Sequence, residues 1–237
     1  MIHTIFWAAY LILYLIAVMP ILFYCRYQIK KGNREKITPL LHRTVVKWAK
    51  RIIWSAGARV EVIGEENIPE GTAVYVANHQ SYFDIPVVLA HVGKPRALMA
   101  KDSLSKIPGL HGWMDLLQCV YVNRSDEKAS MRALMDSTRL VKSGESMTIF
   151  PEGTRSKGGP IAEFKGGAFR TATSAKVPVV PVTIDGTYRL FEERRRIHGG
   201  TVRVVIHPPI PTAGMSRQEV RELPEQVREQ IVSGMSK

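Results

Sequence analysis

The stretch Thr72-Ala73-Val74-Tyr75-Val76-Ala77-Asn78-His79-Gln80-Ser81-Tyr82-Phe83-Asp84 changes character half-way along. Its first six residues are small, apolar or β-branched and suit a buried strand, whereas the next seven are dominated by polar groups and end in an acid that falls in the first turn of a helical run to His91. A strand that stops in a polar turn and continues as a helix is the repeating unit of an α/β sheet. The same texture extends on both sides. It predicts strands over Arg59 to Ile63, Thr72 to Ala77, Arg96 to Ala100, Cys119 to Val122, Ser146 to Phe150, Pro178 to Ile184 and Thr201 to Ile206. Helices are expected over Tyr82 to His91, Leu110 to Leu117, Glu127 to Lys142 and Lys165 to Ala175, with a pair after Ser216, where Ser216 and Glu219 form a capping-box pattern. Gly144 is placed to end the third of these. The fold class that follows is α/β, with a mostly parallel or mixed central sheet flanked by helices.

Upstream the chain is different. Ile5 to Cys25 is an uncharged apolar run, and a helix of that length reaches about 30 Å, the hydrocarbon thickness of a bilayer. Basic residues begin at Arg26, so the positive-inside rule places the remainder in the cytoplasm if the segment spans. Pro20 leaves open a kinked or one-leaflet path. Thr38-Pro39 reads as an N-cap followed by proline at the first helical position. Leu41, Val45, Trp48, Ala49, Ile52 and Ile53 then recur at helical spacing, with Arg43, Lys47, Lys50 and Arg51 opposite. We therefore expect residues 1–57 to form a membrane-associated two-helix segment and residues 58–237 a catalytic domain.

Thirty-three Lys and Arg against twenty-one Asp and Glu leave a formal charge of +12. Ten basic residues against Glu35 alone between Arg26 and Arg59 carry +9 of it. A basic zone directly after an apolar segment suits anionic lipid headgroups rather than a nucleic-acid stripe. Cys25 and Cys119 have no CxxC spacing, so neither a disulfide framework nor a metal site is indicated.

Chemistry gathers where strands end in such a sheet. At the first strand end, an intervening turn can fold Asp84 back onto one ring nitrogen of His79, fixing the tautomer and leaving the other nitrogen as a general base for an alcohol. His111 and Asp115 form a similar pair, but their surroundings read as a surface helix with local pairing. At the second strand end, Phe150-Pro151-Glu152-Gly153-Thr154-Arg155-Ser156, Gly153 lets the backbone approach a ligand, Arg155 suits a bidentate grip on phosphate, and Thr154 offers a hydroxyl. Glu152 would repel a phosphate, so bracing a cation or accepting from a substrate hydroxyl suits it better. Arg124, after Val122-Asn123, is a second phosphate candidate, and Lys101 at another strand exit suits an oxyanion. No GxSxG, GxxxxGK or GxGxxG sequence is present, which leaves a serine acyl-enzyme, nucleotide hydrolysis and dinucleotide binding without support. A base without its own nucleophile implies direct transfer within a ternary complex.

Four ordered blocks resemble the 1-acyl-glycerol-3-phosphate acyltransferase family. They are Asn78-His79 with Asp84; Lys101 through Leu104 to Pro108-Gly109 and the strand ending Val122-Asn123-Arg124; Phe150 to Ser156; and Val177-Pro178-Val179-Val180-Pro181-Val182. The resemblance implies a glycerolipid-acyltransferase-like fold and transfer of a fatty acyl group from a coenzyme A or acyl-carrier-protein thioester to the sn-2 hydroxyl of lysophosphatidic acid, giving phosphatidic acid. The thioester is a cosubstrate, and no cofactor is implied. On this mapping His79 is the base, Asp84 its orienter and Lys101 the group for the thioester oxygen. Arg124 and Arg155 hold the glycerol phosphate, with Glu152, Gly153 and Thr154 shaping that pocket. The family's second block often ends in Asp-Arg, whereas Asn123-Arg124 stands here. The implied partners are the lipid, the acyl donor and a phospholipid surface at the cytoplasmic face of the cell membrane, without nucleic acid. The same chemistry on glycerol 3-phosphate or another lysolipid is the nearest alternative, followed by a non-catalytic membrane-tethered binding module. For the apolar stretch Val177 to Ile184 a central core strand is preferred over direct acyl contact.

Overall fold

A computed structural model describes residues 2–123 and 125–236. The apolar N-terminal run forms α1 (Ile2–Ala17) and α2 (Met19–Lys30), interrupted only at Val18. Pro20 falls in the first turn of α2, where its missing N–H leaves no bond unmade. After a tight turn at Gly32 the chain reverses into α3 (Arg34–Ser55), so the region is a helical hairpin. Trp7 Nε1 donates to Ser55 Oγ at 3.0 Å and Arg51 Nη1 to the Tyr10 hydroxyl at 2.9 Å, which fixes the two arms antiparallel. The expected start at Thr38-Pro39 is overturned. Helix α3 begins five residues earlier, with Pro39 inside it, and Thr38 Oγ1 bonds back to the Arg34 carbonyl at 2.9 Å. Arg34 in turn donates to the Leu116 carbonyl at 2.9 Å, an anchor that no local pattern announces.

Among the described residues seven strands form one sheet, in the order β1-β7-β6-β2-β5-β3-β4. They are β1 (Ala58–Ile63), β2 (Val74–Ala77), β3 (Ala97–Lys101), β4 (Val120–Val122), β5 (Met147–Ile149), β6 (Val179–Asp185) and β7 (Gly200–Ile206). From β6 to β4 the pairing is parallel, with β2 lying between β5 and β6. Among the described strand pairs β6–β7 alone is antiparallel, beside an isolated antiparallel bridge between Val179 and Ile210, and β1 then runs parallel to β7. The carboxyl ends of five strands therefore share one edge.

Residues alternate between two apolar cores because successive side chains of a strand point to opposite faces. Tyr75 and Ala77 join Phe83, Val87, Leu98 and the hairpin residues Leu22, Cys25, Leu41, Val45, Ala49 and Ile53 on one face. Val74 and Val76 join Phe169, Leu223, Val227 and Ile231 on the other. The first face is covered by the hairpin with α4 (Asp84–His91) and α5 (Leu110–Leu116). The second is covered by α6 (Glu127–Lys142), α7 (Arg170–Ala175) and α8 (Arg217–Ser233). Every residue of β6 is buried, as expected of a central strand read from Val177 to Ile184.

The C-terminal pair of helices is instead one helix. α8 runs through Pro224, and the Ser216–Glu219 capping box is complete, with Glu219 N bonded to Ser216 Oγ at 3.2 Å and Ser216 N to Glu219 Oε2 at 2.6 Å. The run from Lys165 splits into a 3-10 turn at Gly166–Phe169 followed by the short α7. Thr4–Lys30 is long and apolar enough to cross a membrane. Its outer face exposes Ile5, Phe6, Ile12, Leu13, Ile16 and Phe23, while Trp7, Leu11 and Leu22 pack inward.

Candidate active site

Asn78 ends β2 by pairing with the neighbouring strand: its Nδ2 donates to the Ile184 carbonyl and its Oδ1 accepts from Ile184 N, both at 2.8 Å. This double bond across to β6 holds the chain at the point where the ladder stops. His79 follows, and its Nδ1 lies 2.6 Å from Asp84 Oδ2. Asp84 opens α4 and is fully buried. The same oxygen accepts from Gln80 N at 2.7 Å and Ser81 N at 2.9 Å, while Oδ1 accepts the Thr187 hydroxyl at 2.5 Å. Four donors saturate the acceptor capacity of one carboxylate. A buried anion without such donors would cost several kcal/mol, so the turn and its acid stabilise each other.

With Asp84 accepting, the proton between the pair is assigned to Nδ1, and Nε2 has no hydrogen-bond partner among the described residues. The imidazole lies against the Phe150 ring, centroids 4.5 Å apart, and its side chain keeps 19% exposure. The result is an imidazole oriented by a buried carboxylate at the mouth of the sheet edge.

The segment after β5 (150–162) is tied to this turn by its backbone. Ser156 N donates to the His79 carbonyl at 2.8 Å and Lys157 N to the Gln80 carbonyl at 3.2 Å. Glu152 is buried, with Oε1 accepting from His79 N at 2.6 Å and Oε2 from Ala162 N at 3.1 Å. Burial pushes its carboxyl above the ordinary range, and the two backbone donors draw it back. Its oxygens are taken up by the chain itself, so Glu152 braces backbone amides rather than the cation or substrate hydroxyl expected from sequence. Gly153 has φ 76°, in the left-handed region open to glycine. Gly158 admits the Tyr188 ring so closely that a Cβ there would lie 2.5 Å from it.

Arg155 reaches the same turn. Its guanidinium sits 3.5 Å from the Tyr82 ring centroid, and its Nη1 donates to Glu192 Oε1 at 2.9 Å. His79, Asp84, Glu152, Gly153 and Arg155 are thus brought together as the sequence predicts. Thr154 is exposed beside them. Lys101 ends β3, two strands from β2 and about 10 Å away at the usual strand spacing. It is exposed, and no hydrogen bond joins it to the turn 78–84 among the described residues. Arg124 lies outside the described residues. Its neighbour Asn123 supplies Oδ1 as acceptor to Ser125 N at 3.1 Å and Ser125 Oγ at 2.7 Å, a local role that an aspartate would also fill.

Two residues that complete the site carried no motif. Thr187 and Glu192 follow β6, in a segment of ordinary polar composition. The only signal available was the general one that the end of a central strand lies at the reactive edge.

The family model described as Acyltransferase matches residues 59–185, more than half of the chain. The chain belongs to the acyltransferase family. That match begins at β1 and ends at the last residue of β6, so it takes in the base turn, Lys101, Arg124 and the segment at 150–162. Among curated members of the acyltransferase family, the chain is 38% identical over 175 residues to a chloroplastic 1-acyl-sn-glycerol-3-phosphate acyltransferase of Brassica napus, covering 71% of this chain and 50% of that one. It is 31% identical over 182 residues to the 1-acyl-sn-glycerol-3-phosphate acyltransferase of Borreliella burgdorferi, covering 76% and 73%. The crystal structure of the 1-acyl-sn-glycerophosphate (LPA) acyltransferase PlsC from Thermotoga maritima superposes with a TM-score of 0.77 at 33% identity, covering 100% of this chain and 99% of that one. The chain spans about half the length of the plant and algal relatives it matches.

Proposed function

We propose that the protein transfers a fatty acyl group from a coenzyme A or acyl-carrier-protein thioester to the sn-2 hydroxyl of 1-acyl-sn-glycerol 3-phosphate, giving phosphatidic acid. One observation carries the reading: on the turn 78–84 Asp84 holds the His79 imidazole, and the Tyr82 ring of the same turn packs against the guanidinium of Arg155, which the segment after β5 brings to it with donors unused among the described hydrogen bonds. The relatives are named for this acceptor. His79 Nε2 takes the hydroxyl proton as the acceptor oxygen attacks the thioester carbonyl. When the tetrahedral intermediate collapses, the new ester forms, the carbon–sulfur bond breaks, and the imidazolium returns its proton to the thiolate. Lys101 is assigned the developing oxyanion, and Arg155 with Arg124 the acceptor phosphate. Glu152 and Gly153 act through the shape of the segment that carries Arg155.

The exposed apolar face of α1 and α2 supports docking on a phospholipid surface, and the basic residues from Arg26 onward support the cytoplasmic side. A panel assay tests the acceptor. Acyl-CoA and acyl-carrier-protein donors are offered to the full-length protein in detergent micelles with 1-acylglycerol 3-phosphate, glycerol 3-phosphate, lysophosphatidylethanolamine or monoacylglycerol. Phosphatidic acid is expected as the dominant product. Faster acylation of another acceptor reassigns the substrate, and binding to anionic vesicles without thioester consumption by any pair removes the enzymatic reading.

A further inference from the structure

Glu192 lies outside every sequence block read above, yet its side chain is only 4% exposed. Its Oε1 accepts from Arg155 Nη1 at 2.9 Å and from Tyr82 N at 3.0 Å, and its Oε2 accepts from Ser81 Oγ at 2.6 Å. These three partners come from the two segments that meet at the site: the turn carrying His79 and Asp84, and the segment carrying Arg155. A buried carboxylate is tolerated only when donors meet its oxygens, and here one of the donors is charged. The guanidinium is held twice, at its edge by Glu192 and on its face by the Tyr82 ring. Among the described hydrogen bonds only its Nη1 is engaged, and 22% of the side chain remains exposed, so Nε and Nη2 keep their donors for a ligand.

We infer that Glu192 is a positioning residue that fixes the reach between Arg155 and the base on the neighbouring turn, and thereby makes the protein select acceptors whose phosphate lies a set distance from the hydroxyl to be acylated. The inference rests on the proposed acceptor. It adds a residue and a source of specificity that the base and arginine alone do not supply. An arginine on a free side chain would grip a phosphate at many distances, whereas one pinned at edge and face presents its remaining donors in one direction. A carboxylate that served only the fold would, when removed, weaken transfer to every acceptor alike.

The test compares wild type, Glu192→Gln, Arg155→Ala and the double variant, each full length in micelles, with one acyl-CoA donor. The acceptors are 1-acylglycerol 3-phosphate and a 1-acylglycerol of the same chain without phosphate. Glu192→Gln is expected to raise KM for the phosphate-bearing acceptor about tenfold, with a smaller change in kcat, and to lower transfer to the phosphate-free acceptor by much less. The double variant is expected to be no worse than Arg155→Ala, because both substitutions remove one coupled unit. Equal losses on both acceptors, an unchanged KM, or losses that simply add would overturn the inference. A wild type indifferent to the phosphate overturns the acceptor assignment and the inference with it, which separates that failure from failure of Glu192 alone. Glu192→Asp keeps the charge but withdraws it by one methylene. It is expected to show a smaller loss of the same selective kind, and it supplies the comparison if Glu192→Gln does not fold.

Discussion

The turn at 78–84 and helix α5 each hold a histidine a few residues before an aspartate, and the two are built differently. Asp84 is fully buried and satisfied by four donors, one of them the His79 imidazole. Asp115 keeps 47% side-chain exposure and turns away from His111: it pairs with Arg26 at 3.3 Å on α2 and accepts from the Tyr121 hydroxyl at 3.0 Å. The local pairing expected on α5 is thus absent among the described residues, and His111 Nδ1 lies 3.2 Å from the Ile107 carbonyl instead. Residue type and spacing do not make a dyad. A strand exit places the imidazole, and backbone amides at a helix start bury the acid that orients it.

The sharpest way to break this contrast is to remove the imidazole. His79→Ala is expected to lower the rate of acyl transfer by about a thousandfold or more with the far-ultraviolet circular dichroism unchanged, and a folded variant that retains transfer would end its role as base. A smaller effect separates orientation from chemistry. Thr187→Val leaves Asp84 Oδ1 without its hydroxyl donor inside the core, so denaturant unfolding should show a loss of about 1–3 kcal/mol, and the rate should fall roughly tenfold while KM for the acceptor holds. At the bottom of the scale, His111→Ala should leave the rate unchanged and shift stability by less than about 1 kcal/mol, because its ring is only half-buried and serves no buried acid among the described residues. A large loss of rate there would erase the distinction between the two pairs.

Much of this contrast was legible beforehand. The seven strands follow from short β-branched runs bounded by polar turns, and His79, Asp84 and Arg155 stand at strand ends where an α/β sheet collects chemistry. What escaped was set by contacts distant in sequence. Thr187 and Glu192 are ordinary residues until β6 places them beside β2. The start of α3 was misread because Thr38-Pro39 imitates a cap, while the tight turn at Gly32 and the Arg34 bond to the Leu116 carbonyl fix the true one. In α8 the proline does not divide the helix, since the face bearing Leu223, Val227 and Ile231 is held in the core on both sides of it. Glu152 was misassigned because its donors are backbone amides, which a sequence does not display.

The clamp of Asn78 on Ile184 spans 106 residues, and the bond from Thr187 to Asp84 spans 103. During synthesis from the N-terminus, the base motif leaves the ribosome long before either partner exists. The hairpin can reach a membrane in that interval, but the imidazole has no finished mount until the strand from Val179 to Asp185 has docked beside Val74 to Ala77. Catalytic competence therefore arrives late, as a property of the completed sheet.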